Sequence, residues 1–268
     1  MGDAGHIVFD VGGTKMRVAT AEDETLGEVK KVPTPQDMTE TIQTLARIAR
    51  RIGENRIRCA AGCIPAQTDL ERGVYDANNR PAWNGRHFDT ELSTALGVPV
   101  KVANDCAVIG LGEYRRGAGK GARAMAYVTV STGVGAARIV DGAIAPLEDF
   151  FLGHELIDGE ELEDLVSGTA VKKKFGIEPK DLESLEERNK LADILAEGLS
   201  ILIETWSPDT IVLGGSMIVG VNPIPLERVQ SELAKRLSQP IAVKMAELGD
   251  NGGLVGAAIL AQKILPAG

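Results

Sequence analysis

Two carboxylates placed next to glycine-rich or turn-forming residues are where this chain could do chemistry. The first is Asp10, in Asp10-Val-Gly-Gly-Thr-Lys15, with runs rich in β-branched residues on either side. Paired glycines between strand-like runs signal a hairpin, because glycine reaches positive φ without steric cost. A tight turn without Cβ atoms also lets backbone N–H groups approach an anion closely. An acid beside such a cradle makes sense if a hard cation such as Mg²⁺ lies between it and a phosphate. Gly12, Gly13, Thr14 and Lys15 are therefore candidate phosphate contacts, and Asp10 is the candidate metal-side acid, acting through water. Locally, an ordinary hairpin with a capping Asp reads the same way.

The second carboxylate is Asp105, in Asn104-Asp105 at the end of the strand-like run Val98–Ala103. It could accept a proton from an attacking hydroxyl, or it could simply cap the next helix. A second glycine hairpin stands at Ser131-Thr132-Gly133, between Ala124–Val130 and Val134–Val140. A third glycine pair, Gly214-Gly215, follows the strand-like Thr210–Leu213, at the end of a strand where ligands of open α/β sheets sit. Gly117–Gly121 contains Gly-Lys, but Gly121 stands where a P-loop needs Ser or Thr, so it reads as a surface turn.

The elements that must hold these residues alternate between strand and helix. Asp37 and Glu40 make a capping-box spacing, followed by Ile42, Leu45, Ala49 and Ile52 at helical period. Strands are predicted over Leu26–Pro33, Ile57–Ile64 and Ile241–Leu248. Helices are predicted over Asp89–Leu96, Cys106–Arg116, Asp158–Val166, Thr169–Phe175, Asp181–Ser207, Leu226–Leu237 and Gly253–Leu265. Two glycine hairpins, each opening a strand-rich segment, suggest an internally duplicated α/β architecture. The halves would be 1–105, joined by the C-terminal helix near 253–268, and 106–252.

Composition narrows the partners. The 268 residues carry a net charge of −9, which argues against nucleic acid or an anionic membrane. No apolar run reaches the ~20 residues that span a bilayer, and no signal peptide is read at the start. The three cysteines, Cys59, Cys63 and Cys106, form no Cys-x-x-Cys pair and fit a reducing cytoplasm.

In order and spacing the chain resembles the ROK family of sugar kinases, within the actin/hexokinase/Hsp70 ATPase superfamily. The matching pieces are Asp10–Lys15, Asn79-x-Pro-x-Trp83, Val102-Ala-Asn-Asp105, Gly112-Glu-Tyr-x-x-Gly-Ala-Gly-Lys-Gly121 and Val130-Ser-Thr-Gly-Val-Gly135. Further on come Gly153-His154, Leu162-Glu163 ahead of Ser167-Gly168, Ile211-Val-Leu-Gly-Gly215 and Gly252-Gly-Leu-Val-Gly-Ala-Ala258.

The resemblance implies a two-lobed actin-like ATPase (ribonuclease H-like) α/β fold with duplicated domains and a central cleft. It implies an ATP- and Mg²⁺-dependent, glucokinase-like transfer to a hexose or hexose derivative. Asp105 would be the base. Asn79, Asn104, His154 and Glu163 would hold the sugar. Gly12, Gly13, Thr14, Lys15, Thr132 and Gly133 would grip the phosphates, and Gly214 and Gly215 would run beneath the adenosine. The family also implies a homodimer.

The chain departs from its relatives where the sugar would sit. Phe151 stands where many relatives carry a Glu, with Glu148 and Glu155 nearby as substitutes. Ala66 and Ala82 replace common glycines. No cysteine follows His154, and one His cannot make a four-coordinate zinc site, so no zinc is expected. Two alternatives stay open: polyphosphate as donor, and a non-catalytic sugar binder. A DNA-binding repressor is disfavoured, because only a few residues precede the first strand and the charge is negative.

Overall fold

A computed structural model describes residues 5–54, 56–69, 71–75, 77, 80–146 and 150–264. The chain divides into two compact units. One runs to Gly112 and takes up the chain again from Asp250; the other is Glu113–Gly249. The boundary thus falls inside a helix, seven residues beyond the Asp105 expected from sequence.

In the first unit, β1 (His6–Val11) and β2 (Lys15–Glu22) form the antiparallel hairpin. The expected strand over Leu26–Pro33 is two pieces, β3 (Thr25–Leu26) and β4 (Lys30–Pro33), both paired to β2. Between them the register on β2 shifts by one residue, from Ala21 opposite Leu26 to Val18 opposite Lys30, and this breaks the ladder. Helix α1 (Met38–Ile52) starts on Asp37, whose carboxylate accepts from Glu40 N–H at 2.9 Å, a cap of about 1 kcal/mol. β5 (Ala60–Ile64) pairs parallel with β1. A small hairpin follows, β6 (Gln67–Asp69) and β7 (Gly73–Tyr75). Helix α2 (Phe88–Leu96) ends on Gly97 at φ +73°, the left-handed cap that glycine favours. β8 (Val100–Asn104) pairs parallel with β5 and runs directly into α3 (Asp105–Arg116). Lys101 is exposed and the other residues of β8 are half-buried, as befits an edge strand. Ile7, Phe9, Val18, Leu45, Ile64, Trp83 and Phe88 fill the core.

The second unit repeats this order. β9 (Ala124–Val130) and β10 (Val134–Val140) form an antiparallel hairpin, extended by β11 (Ala143–Ile144). A short pair, β12 (Leu156–Ile157) and β13 (Glu160–Glu161), takes the first part of the helix expected over Asp158–Val166. What remains of that helix is α4 (Leu162–Val166), followed by α5 (Gly168–Phe175) and the long α6 (Leu185–Trp206). β14 (Thr210–Gly214) pairs parallel with β9. After α7 (Ser216–Val219) and α8 (Leu226–Arg236), β15 (Ala242–Met245) pairs parallel with β14. Leu195, Leu199, Leu202 and Trp206 of α6 pack on Val128, Ile211 and Leu213 of the sheet. Each unit is therefore a hairpin followed by two parallel strands: β2-β1-β5-β8 in one, β10-β9-β14-β15 in the other. That is the duplication the two glycine hairpins suggested.

The chain returns to the first unit through α9 (Gly252–Ala261), buried at every position but Val255. Its glycines are spatial necessities. A Cβ on Gly253 would come within 2.8 Å of Asp10 Cγ, and one on Gly256 within 1.7 Å of the Val108 carbonyl oxygen. The Gly117–Gly121 turn is not the open surface turn expected, because Gly117, Ala118 and Gly119 are buried. The buried carboxylate of Glu113 accepts from Ala118 N–H at 2.9 Å, and from Glu247 and Leu248 N–H at 2.9 and 2.8 Å.

Candidate active site

In the first unit the strand register assembles the acids. Asp10 lies opposite Arg17 on β2 and beside Cys63 on β5. Arg17 Nη1 donates to Asp10 Oδ2 at 3.1 Å, and the Cys63 thiol donates to Oδ1 at 3.4 Å. Asp10 is 8% exposed, so burial raises its pKa, while Arg17 and Cys63 pull it back down. Arg17 also reaches Asp250 at 3.0 Å, and Lys31 meets the same carboxylate oxygen at 3.0 Å.

The carboxyl end of β8 supplies the second acid. Asn104 Oδ1 accepts from Cys106 N–H at 2.9 Å and its amide donates to the Ala66 carbonyl at 3.3 Å. Asn104 thus caps α3 and ties it to the loop after β5. Asp105 Oδ1 also accepts from Cys106 N–H, at 2.8 Å. Burial pushes the Asp105 pKa up to about 6, the nearby charge of Asp10 adds to the rise, and the bonds from Cys106 oppose it. A carboxylate near 6 can take a proton at neutral pH and remain a stronger base than an ordinary Asp.

The first glycine turn is held by its carbonyls. Gly12 O accepts from Thr34 Oγ1 at 2.9 Å, Gly13 O from Arg80 Nη2 at 2.8 Å, and Thr14 O from Thr34 N–H at 3.0 Å. In a trans peptide the C=O and the following N–H point in opposite directions. Tying back the Gly12 and Gly13 carbonyls therefore turns the Gly13 and Thr14 N–H groups the other way. Neither N–H meets an acceptor among the described residues, and Gly13, Thr14 and Lys15 are exposed. Backbone donors so arranged could receive an anion.

The second unit builds the same device from different parts. Ser131 O accepts from Gly168 N–H at 2.7 Å, and Thr132 O from Thr169 N–H at 3.3 Å and Thr169 Oγ1 at 2.7 Å. The Thr132 and Gly133 N–H groups meet no acceptor among the described residues. Glu163 Oε2 accepts from Val134 N–H at 2.7 Å. A Cβ on Gly133 would lie 2.3 Å from that oxygen, so any larger residue there would have to push the carboxylate aside. Glu163, expected from sequence as a sugar contact, is thus also a support of the second turn. Its Oε1 has no protein donor among the described residues.

Gly214 and Gly215 lie against the end of β9, beside this turn. Gly215 has φ +88°, a Cβ there would come 2.3 Å from the Val130 carbonyl, and Ser216 Oγ lies 3.2 Å from Ser131 Oγ. His154 is exposed, in a short turn over Leu152–His154, with Nδ1 3.0 Å from Glu161 Oε2. The Phe151 ring sits 6.2 Å from its imidazole. A Cβ on Gly153 would lie 3.6 Å from Glu163 Oε2, so the His154 turn and Glu163 are neighbours. Asn79 and Glu148 fall outside the described residues.

Sequence reasoning missed Arg17, Cys63, Thr34, Arg80 and Thr169. Arg17 could have been found by counting outward from the hairpin, which sets residue 17 opposite 10. The others come from segments far away in sequence and left no local signal. Among the described residues no three His, Cys, Asp or Glu side chains converge as a metal-binding group.

Duplicated α/β units with a glycine hairpin at the head of each sheet define a protein of the actin-like ATPase fold. The chain belongs to the ROK family, whose sequence model matches residues 6–264. It is 26% identical to a putative fructokinase from Bacillus subtilis, over 97% of this chain and 96% of that one. In structure it is similar to a ROK hexokinase from Thermus thermophilus, with TM-score 0.83, 24% identity and coverage of 97% and 98% of the two chains. It is also similar to an inorganic polyphosphate/ATP-glucomannokinase from Arthrobacter sp. strain KM, with TM-score 0.72, 26% identity and coverage of 97% and 99%.

Proposed function

We propose that this protein is a carbohydrate kinase that transfers the γ-phosphoryl group of ATP to a hydroxyl of a hexose or hexose derivative, glucose-like sugars first. The observation that carries the reading is that each unit holds a carbonyl-anchored glycine turn, and the first unit also holds a half-buried acid, Asp105, whose pKa is about 6. Phosphoryl transfer is mainly positioning and charge neutralisation, so backbone donors, a cation and one base suffice.

Asp105 accepts the proton of the attacking hydroxyl as its oxygen bonds to the γ-phosphorus. The bond from that phosphorus to the β-phosphate oxygen breaks, and the diphosphate leaves. Asn104, His154 and Oε1 of Glu163 orient the sugar. The freed N–H groups of Gly13, Thr14, Thr132 and Gly133, with Lys15, hold the phosphates. Gly214 and Gly215 lie beneath the adenosine.

The donor set at Asp10 fits Mg²⁺ held through water. Both carboxylate oxygens already accept a proton donor, so a hydrated cation suits the site better than a bare one. Mg²⁺ there would neutralise the phosphate charge. The kinship with a polyphosphate/ATP enzyme favours one second reading, in which polyphosphate serves as donor on the same turns. Phe151 removes a carboxylate that many relatives present to the sugar, which supports a sugar that lacks that demand.

The test is a phosphorylation screen across a hexose and amino-sugar panel, with ATP and polyphosphate side by side. Turnover of one or a few sugars with ATP supports the reading. Turnover with polyphosphate alone moves the donor. Sugar binding by calorimetry with no transfer from either donor would sink it.

A further inference from the structure

Arg80 is 5% exposed, and no carboxylate among the described residues pairs with it. Its guanidinium donates to three backbone carbonyls: Gly13 at 2.8 Å through Nη2, and Pro35 and Gln36 at 2.6 and 3.2 Å through Nη1. The cation lies 4.9 Å from the centre of the Trp83 ring, and Trp83 Nε1 donates to the same Gln36 carbonyl at 3.0 Å. A buried guanidinium normally finds a carboxylate, because desolvating an unpaired charge is costly. Here its charge is met by peptide dipoles and a ring face, and Arg keeps its proton under such conditions.

We propose that Arg80 is the positioning residue of the donor-phosphate turn. It pins the Gly13 carbonyl so that the Thr14 N–H faces the phosphates, and it sets a positive charge, with no carboxylate partner among the described residues, one peptide away from them. Thr34 pins the carbonyls on either side but brings no charge. Arg80 therefore contributes both geometry and field to one turn, and its partner Pro35–Gln36 segment leads directly into α1, which fixes it in the fold. The inference rests on the reading of the Gly12–Thr14 turn as a phosphate site.

Titration calorimetry with two probes, Mg·AMP-PNP and magnesium tripolyphosphate, tests it on the wild type, Arg80→Met and Arg80→Lys. Arg80→Met should weaken the bound phosphate chain by about tenfold or more, the loss of a charge-assisted contact. Arg80→Lys keeps the charge but cannot span three carbonyls, and should weaken it by roughly threefold. Sugar affinity should stay within about twofold of wild type in both. Probe affinity unchanged in Arg80→Met overturns the proposal, as does an equal loss of sugar and phosphate affinity. Should Arg80→Met fail to fold, Arg80→Lys decides: unchanged probe affinity there overturns the proposal. A wild type that binds a probe but transfers phosphate to no sugar overturns the kinase reading and leaves the Arg80 assignment standing. A wild type that binds neither probe overturns both.

Discussion

Asp10 and Arg17 face each other across the β1–β2 register, with Nη1 of the arginine 3.1 Å from Oδ2 of the aspartate. Arg17 offsets part of the rise that burial imposes on the Asp10 pKa and fixes the direction of the carboxylate, as a metal-side acid would require. Arg17→Met removes the charge that lowers the Asp10 pKa, so that pKa should rise further. The expected result is at least about a tenfold fall in kcat with a raised Mg²⁺ requirement, and sugar affinity unchanged. Magnesium titrations of turnover, beside sugar calorimetry, check it.

Asp10→Asn separates the two acids. It should weaken metal-dependent transfer by roughly 10²-fold or more while sparing sugar binding. Because the Asp10 charge helps raise the Asp105 pKa, the acid limb of the pH–rate profile should also move to lower pH. Equal loss of sugar binding and transfer would contradict the division of labour between Asp10 and Asp105.

Asp105 sets the pH dependence. With its pKa at about 6, kcat/KM should hold above that value and fall about tenfold per pH unit below it. The sign for stability is opposite. Its folded-state pKa lies above the ordinary 3.8, so the ionised form is penalised in the fold. That penalty is absent below the ordinary value and complete above about 6. It amounts to about 3 kcal/mol at ~1.4 kcal/mol per unit. Asp105→Asn at pH 7.5 should melt no lower than wild type; a Tm several degrees lower would count against the burial account.

Much of this was written legibly in the chain. Asp37 with Glu40 located α1, and the glycine turns at 12–13 and 133 located both hairpins, because turn and cap chemistry is local. Strand ends were less legible: Leu26–Pro33 split where its register on β2 shifts by one residue, and part of the helix expected over Asp158–Val166 became the β12–β13 pair. The two glycine turns were readable from motifs, but the residues that hold their carbonyls were not. Arg80 reaches Gly13 across 67 residues and Thr34 reaches Gly12 across 22, and no spacing rule predicts such contacts.

Glu163 carries a prediction of its own, because one oxygen holds the Ser131–Gly133 turn and the other, with no protein donor among the described residues, is the one proposed to meet the sugar. Glu163→Gln should raise both the donor KM and the sugar KM by roughly threefold to thirtyfold, since a charge-assisted bond to Val134 becomes a neutral one. Gly133→Ala should likewise raise both, as its Cβ would displace the whole carboxylate. Steady-state kinetics with each substrate varied in turn check both; a rise in the donor KM alone would contradict the sugar role of Glu163.

Metal removal distinguishes magnesium from zinc. After exhaustive chelation the enzyme should recover full turnover on addition of Mg²⁺ alone, with the Tm unchanged by the chelator. A Tm that falls on chelation and returns with zinc would show a structural zinc site.

The most direct test of the account is Asp105→Ala assayed with the sugar that the panel identifies. The variant should bind that sugar and Mg·AMP-PNP within a few-fold of wild type, and its phosphoryl transfer should fall by about 10²–10⁴-fold, the usual contribution of a general base. Undiminished turnover in a folded, sugar-binding Asp105→Ala protein would contradict the assignment of Asp105, and with it the proposed chemistry.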